Sequence, residues 1–380
     1  MVNKNANDKR YYFDWAASSL YDGAPYSGVS GNPSSLHSEG KEAKQILEDA
    51  RNRCAAVLNV SAGTLYFTSG GTEANSIALF SNLMRKGSGR TLSSLAEHSS
   101  VREGMETLEK MGKPTGTIAV DSAGRVTPEL LSKALEKFND ARFICCMSVN
   151  NETGAVTDIA ALRAKNKSLH FHCDLVQAIG KIPVDIQAMG IDSASISAHK
   201  IGGPHGIGLL YLCRPLEVFY AGGRQEKGIR GGTENFPGAE ALASCLEKHA
   251  TQETVLTEYA NAKARWKKLI SGLFGMERCT LIPAERASRI NDDGFSPYIL
   301  QAAFKGIPGE VMARALDDLG FAVSTGSACS SSSPERPVLK AMGVEENMRL
   351  EGIRISQGYS TTEEEIDLLL EAIAEVLKFL

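Results

Sequence analysis

YFTSGGTEANSIAL, residues 66–79, passes from an apolar run into a helical pattern across two consecutive glycines. The run TLYFT (64–68) has the length and composition of a strand, and TEANSIALFSNLMRKG (72–87) reads as a helix. Strand, glycine turn and helix form the elementary unit of an α/β fold. The turn itself has two readings. Glycines let backbone N–H groups converge, and a helix N-terminus carries partial positive charge, so Gly71, Thr72 and the first turn suit a phosphate. Thr72 suits an ordinary N-cap equally well, with Glu73 in the first turn.

Working outward, the same alternation continues. Strand-length runs recur at RTLSSL (90–95), RFICCMSV (142–149), LHFHCDL (169–175), SASIS (193–197) and GIGLLYL (206–212), and another helical pattern covers 39–59. Such alternation predicts an α/β domain with a largely parallel sheet, whose ligands bind beyond the carboxyl ends of the strands. After about residue 250 the texture changes. A charged helical pattern (252–274), strand-like pieces near 278–283 and 298–304, and helices over 308–320 and 361–380 predict a smaller α+β domain. We expect a large domain over 13–250 and a small one over 1–12 and 251–380. The small domain would carry a Ser/Gly-rich loop at about 324–336.

Bulk properties narrow the function. With 380 residues, 43% of them hydrophobic, the chain exceeds one compact core. Its net charge is −4 and its basic residues are scattered, so neither nucleic acid nor anionic lipid is an expected partner. The N-terminus lacks a signal-peptide core, and no run approaches the ~18 apolar residues of a membrane span. Eight cysteines lie far apart apart from one adjacent pair, with no C-x-x-C. This usage fits a reducing, cytoplasmic compartment.

The strand ends carry the chemistry. Lys200 stands between a histidine and two glycines just past the small-residue strand SASIS. A lysine desolvated there can form a Schiff base with an aldehyde cofactor, flanked by Ser197 and His199 as phosphate donors; a surface loop lysine is the alternative. Asp174 ends an apolar strand and suits either a pyridinium partner or a helix N-cap. Gln177, three residues on, reaches toward the same place. His98 and Asn151 also end strands, as caps or as site groups. His170, His172 and Cys173 alternate along one strand, so they cannot easily share a metal ion, and no metal site is expected. Cys145 and Cys146 read as core residues. Together these positions make up a pyridoxal-phosphate site: phosphate cradle, stacking ring, acid for a pyridine nitrogen, and lysine.

On these and longer motifs the chain resembles the cysteine desulfurases of the class-V aminotransferase fold. The motifs are YFDWAAS (12–18), GNPSSLH (31–37), SGGTEAN (69–75), EH (97–98), NNETG (150–154), CDLVQAIGK (173–181), SAHK (197–200), GGRQEKGIRGGTEN (222–235), TGSACSSSSPE (325–335) and IRIS (353–356). The resemblance implies a fold-type-I architecture with a mainly parallel seven-stranded sheet, pyridoxal 5'-phosphate as cofactor, and L-cysteine as substrate. Lys200 would carry the cofactor, His98 would stack on its ring and assist proton transfer, and Asp174 would pair with the ring nitrogen. Gln177 and Asn151 would contact the ring hydroxyl or the substrate. Gly71 would line the phosphate cradle, and Thr72, Ser197 and His199 would bind phosphate, joined by Thr233 from the second subunit of a homodimer. Asn32 and Arg354 would hold the substrate carboxylate, Arg354 through its bidentate guanidinium.

Cys329 would accept the sulfur as a persulfide and hand it to an acceptor or scaffold protein, in iron–sulfur cluster assembly or another thiolation. A Ser/Gly-rich run gives such a cysteine reach, and because only the thiolate attacks, a base must deprotonate it, with His98 in that role. Three positions depart from the family. Trp15 is bulkier than usual and is expected to narrow the substrate entrance; Gly202 and His205 replace a larger residue and a lysine. Members that dock a scaffold through a tail extend past the last helix, whereas this sequence ends at Leu380, so docking by that route is not expected. Rival readings are a selenocysteine lyase, a class-V aminotransferase of small amino acids, and a non-enzymatic regulator of sulfur transfer.

Overall fold

The computed structural model describes residues 9–24, 27–84, 89–219, 222–326 and 335–380. Seven strands form the large sheet: β1 (Leu65–Thr68), β2 (Arg90–Ser94), β3 (Thr115–Ile118), β4 (Ala141–Cys145), β5 (His170–Asp174), β6 (Ser193–Ser197) and β7 (Gly208–Leu212), in the order β1-β7-β6-β5-β4-β2-β3. Every pairing is parallel except those of β7 with β1 and β6. The sheet is thus largely parallel, as the alternation predicts. The strand β3 (TGTI) escapes the sequence reading because it is an edge strand in which only Ile118 is buried.

Helices cover both faces, which is why the central strands are apolar or small on both sides. On one face α1 (Ser38–Leu58) packs beside α4 (Phe236–His249), burying Leu47, Cys54, Leu242 and Leu246 against Ile144, Phe171, Cys173 and Ile196. On the other, α2 (Gly71–Met84) and α3 (Ser99–Lys110) bury Ala78, Leu79, Val101 and Leu108 against Tyr66, Phe143, Cys145 and Leu210. Cys145 and Cys146 therefore face opposite cores, and burial pushes both thiols well above their ordinary pKa.

The second core belongs to the C-terminal part. An antiparallel sheet of β8 (Cys279–Ile282), β9 (Ile299–Phe304) and β10 (Gly352–Ser356), in the order β10-β9-β8, packs against α5 (Gln252–Phe274) and α6 (Glu363–Phe379). The N-terminal segment stitches the two cores together. Tyr11–Tyr12 pairs parallel with Phe321–Ala322, Phe13 is buried in the small core, and Ala16 already lies in the large one. No helix among the described residues is long and apolar enough to cross a membrane.

Candidate active site

A cavity of about 300 Å3 opens at the carboxyl ends of β1, β2, β4, β5 and β6. Its lining includes ten of the predicted residues: Gly71, Thr72, His98, Asn151, Asp174, Gln177, Ser197, His199, Lys200 and Arg354.

The glycine turn is shaped by close approach. Gly70 has φ +152°, and a Cβ on Gly71 would stand 2.7 Å from Val176 Cγ2. Only a residue without a side chain lets the backbone enter α2 here, leaving the helix's first N–H groups, which lack intrahelical acceptors, beside the cavity. Ser197 closes the same corner, 3.7 Å from that Cβ position at its own Cβ. His199 is partly buried, and burial together with the neighbouring Lys200 drives its pKa down to about 3.

At the other end stands Asp174. Its Oδ1 accepts from Val176 N at 2.9 Å, closing a turn and not capping a helix, and its Oδ2 accepts from Asn75 Nδ2 at 2.9 Å. Asn75 was not singled out in the sequence. It sits on the inward face of α2, where its Oδ1 accepts from Ser195 Oγ at 2.7 Å and bonds His172 Nε2 at 2.8 Å. His172 Nδ1 in turn bonds Ser193 Oγ at 2.8 Å, so both its ring nitrogens are engaged and it orients the carboxylate's support instead of a metal. The only hint in the sequence was an amide three residues after Thr72, at the spacing that shares a helix face.

His98 combines both of its readings. It is the N-cap of α3, Nδ1 accepting from Ser100 N at 3.2 Å, and it lines the cavity. The cap leaves the neutral ring's proton on Nε2, so the cavity meets a donor. Burial lowers its pKa, with Asp174 pulling the other way, so the ring is held neutral. Beneath it Glu97 is fully buried and accepts from Ser94 Oγ and, at 2.9 Å, from Met147 N, tying the end of β2 to the segment after β4.

Lys200 Nζ donates to Ala16 O and Ala17 O, both at 2.6 Å. Arg354, on β10, reaches in from the small domain: Nη1 donates to Asn151 O and Nη2 to Asp14 Oδ1, each at 2.9 Å. Arg354 Nε and Asn151 Oδ1 are buried without a partner, the mark of a polar site built for something else. These atoms, the glycine cradle and the lysine fit pyridoxal phosphate and an amino-acid carboxylate.

Two predicted residues are not brought here. Asn32 is exposed, its Oδ1 accepting from Ser34 N at 2.9 Å in a turn, and Thr233 is exposed on the surface. Cys329 lies outside the described residues. Trp15 corrects an expectation: it is buried away from the cavity, packed on Gly358 and edge-on to Tyr359 at 4.8 Å, so its bulk does not narrow the entrance. His205 is exposed and bonds Ser18 Oγ at 3.1 Å, its ring 5.2 Å from that of His199; Gly202 has φ +83° and donates to Ser19 Oγ at 2.6 Å.

The pattern of the class-V aminotransferases matches residues 20–369. This defines a pyridoxal-phosphate enzyme of fold type I. The chain is 37% identical over 357 residues to a NifS/IcsS protein homolog from Lactobacillus delbrueckii subsp. bulgaricus, covering 91% of this chain and 90% of that one. It is 35% identical to the putative cysteine desulfurase IscS 1 of Bacillus subtilis, covering 97% and 99%. Among solved structures, a NifS-like protein superposes with a TM-score of 0.85 at 33% identity, covering 98% of this chain and all of that one. The apo cysteine desulfurase of Thermococcus onnurineus has a TM-score of 0.83 at 22% identity and shares the fold, covering 98% and 95%. The chain belongs to the cysteine desulfurase family of the NifS/IscS type.

Proposed function

We propose that the chain converts L-cysteine to L-alanine, leaving the sulfur as a persulfide on Cys329. Atoms balance without an external oxidant: L-cysteine and the Cys329 thiol give L-alanine and the Cys329 persulfide. The observation that carries this reading is the meeting of Lys200, Asp174, His98 and the Gly71 turn around buried, unpartnered polar atoms of Asn151 and Arg354.

Bound pyridoxal phosphate supplies the electron sink that lets the substrate's carbon–sulfur bond open. The protein's residues do the rest. Gly71, Thr72, Ser197 and His199 would hold its phosphate, and Asp174, fixed by Asn75, would keep a proton on the pyridine nitrogen. Arg354 would orient the substrate carboxylate with Nε and the outer edge of its guanidinium, while Asp14 and Asn151 O fix its inner edge. Lys200 Nζ would anchor the cofactor, and the neutral His98 would offer a proton at Nε2. Cys329, as thiolate, would attack the substrate sulfur.

The working unit we propose is a homodimer in which Thr233, exposed and outside its own cavity, reaches the partner's phosphate. Sulfur then passes to an acceptor or scaffold protein. We also keep the domain division at about residue 250, supported by the two separate cores.

The test is alanine and sulfide release from L-cysteine with a reductant, for wild type, Cys329→Ala and Lys200→Ala. Equal alanine and sulfide from wild type, and loss in both variants, is expected. Full activity in Cys329→Ala would turn the reading to a selenocysteine lyase, and an inert wild type to amino-group transfer or a binding role.

A further inference from the structure

Four residues after Gln177, and turned away from the surface, Lys181 is the one buried lysine among the described residues, 7% exposed. Its Nζ donates to Gln177 Oε1 at 2.5 Å. Gln177 Nε2 donates to Ala16 O at 2.9 Å, and Ala16 O also accepts from Lys200 Nζ at 2.6 Å. A chain of hydrogen bonds therefore runs from Lys181 through the Gln177 amide to the carbonyl that holds Lys200. Behind it lies a small cavity of about 30 Å3 bordered by Lys181, Lys200, Ser19, His249, Glu258 and Tyr298. None of the roles assigned above uses Lys181.

Burying an ammonium is costly unless it is bonded, so a lysine kept here needs a reason. Among the described residues no acid is bonded to it, and burial, with the positive Lys200 and Arg354 nearby, holds its pKa well below the ordinary range. What Lys181 does contribute is direction. A primary amide has a donor end and an acceptor end, and one turned through 180° offers the wrong one. Ala16 O can only accept and takes Nε2; Lys181 donates and takes Oε1. With both ends claimed, the amide has one orientation, its N–H edge on the side of Ala16 and the cleft.

We propose that Lys181 is a positioning residue that locks the Gln177 amide, so that Gln177 meets the ring oxygen of pyridoxal phosphate as a hydrogen-bond donor. This rests on the reading of the cavity as the cofactor site. A ring oxygen that has lost its proton needs a donor opposite it, and an unlocked amide would present its oxygen for part of the time.

The experiment is a double-mutant cycle on the full-length protein, with Lys181→Met, Gln177→Ala and the pair. Two quantities are read: the dissociation constant for added pyridoxal phosphate, from quenching of tryptophan fluorescence, and the pH midpoint of the bound cofactor's visible band. Lys181→Met is expected to weaken cofactor binding about tenfold and to move the midpoint, the size of one lost hydrogen bond. In the Gln177→Ala background it should change neither by more than about twofold, because the residue through which it acts is gone. Equal effects in both backgrounds, or none in Lys181→Met, overturn the proposal. A second variant covers a failure of Lys181→Met to fold. Gln177→Glu keeps an acceptor for Lys181 but, like Gln177→Met, loses the N–H donated to Ala16 O, so both should bind the cofactor more weakly while Gln177→Glu melts at the higher temperature. Gln177→Glu melting no higher than Gln177→Met would show that Lys181 does not bond position 177. A wild type that binds no pyridoxal phosphate at all would overturn the cofactor-site reading itself, a result distinct from either variant failing.

Discussion

Asp14 and Arg354 stand 340 positions apart in the chain, yet Arg354 Nη2 donates to Asp14 Oδ1 at 2.9 Å. The contact crosses the junction between the cores, and Arg354 is 1% exposed while Asp14 keeps some access to solvent. The guanidinium is held through both Nη atoms while Nε is buried without a partner, the free donor that the proposed carboxylate contact would use. Arg354→Lys cannot serve Asp14, Asn151 O and a substrate carboxylate at once. Its KM for L-cysteine is expected to rise at least about tenfold, the worth of a charged bidentate contact, with a smaller change in kcat. Asp14→Asn leaves the buried guanidinium without its counter-charge and should cost about 3 kcal/mol of stability in urea unfolding, with most of the fold retained.

The amide of Asn75 bonds Asp174, His172, Ser195 and, at 3.0 Å, Ser100 Oγ. Asn75→Ala removes all four contacts, leaves His172 Nε2 on β5 and Ser195 Oγ on β6 buried and unpaired, and takes one of the two partners of Asp174. The expected loss is about 3 kcal/mol in denaturant unfolding, together with weaker pyridoxal-phosphate binding because Asp174 is no longer oriented. Unfolding with the cofactor absent separates the two effects. An apoprotein as stable as wild type would show that this network carries no stability.

The strand ends were legible because each interrupts an apolar run with a residue that has no packing reason to be there: Lys200 after SASIS, Asp174 after HFHC, Gly70 and Gly71 after LYFT. What could not be read are groups whose partners lie far off in sequence. Asn75 looks like one more polar residue on a helix, Asp14 like a loop acid, and Lys181 like a surface lysine beside a glycine; only the sheet order and the crossing of Phe13 and Ala16 between cores bring their partners to them. Trp15 failed in the opposite sense. Its size was read correctly, but the direction of its ring depends on the space above Gly358, where a Cβ would stand 2.1 Å from the indole.

Glu97 sets a pH dependence with a definite sign. Burial raises its pKa from the ordinary 4.5 to about 7, so the folded state keeps a proton that the unfolded chain releases. Its contribution to stability is complete below the ordinary carboxylate range and is lost as pH rises from there through about 7. Glu97→Gln, which keeps acceptor and shape without the charge, should therefore gain on wild type over that interval. The difference in melting temperature is expected to grow between pH 4.5 and 7 and to level off above it. A difference independent of pH would mean that Glu97 is ionised throughout.

The cofactor-site reading places Thr233 and Lys200 of one working site on different subunits. Thr233 is exposed and does not line its own cavity, whereas Lys200 does. Two defective proteins should then repair each other. Lys200→Ala lacks the anchoring amine but keeps Thr233; Thr233→Ala keeps the amine but lacks the phosphate donor. Each alone is expected to fail, Lys200→Ala completely and Thr233→Ala through weak cofactor retention at low pyridoxal phosphate. In a mixed dimer, the subunit with an intact lysine receives the intact threonine of its partner, so one of the two sites is complete. Mixing the two proteins under conditions that let subunits exchange should restore cysteine turnover and cofactor retention together, and dilution below the dimer's dissociation constant should remove both. If Thr233 acted within its own chain, the Thr233→Ala subunit would stay defective in every pairing and no activity would return.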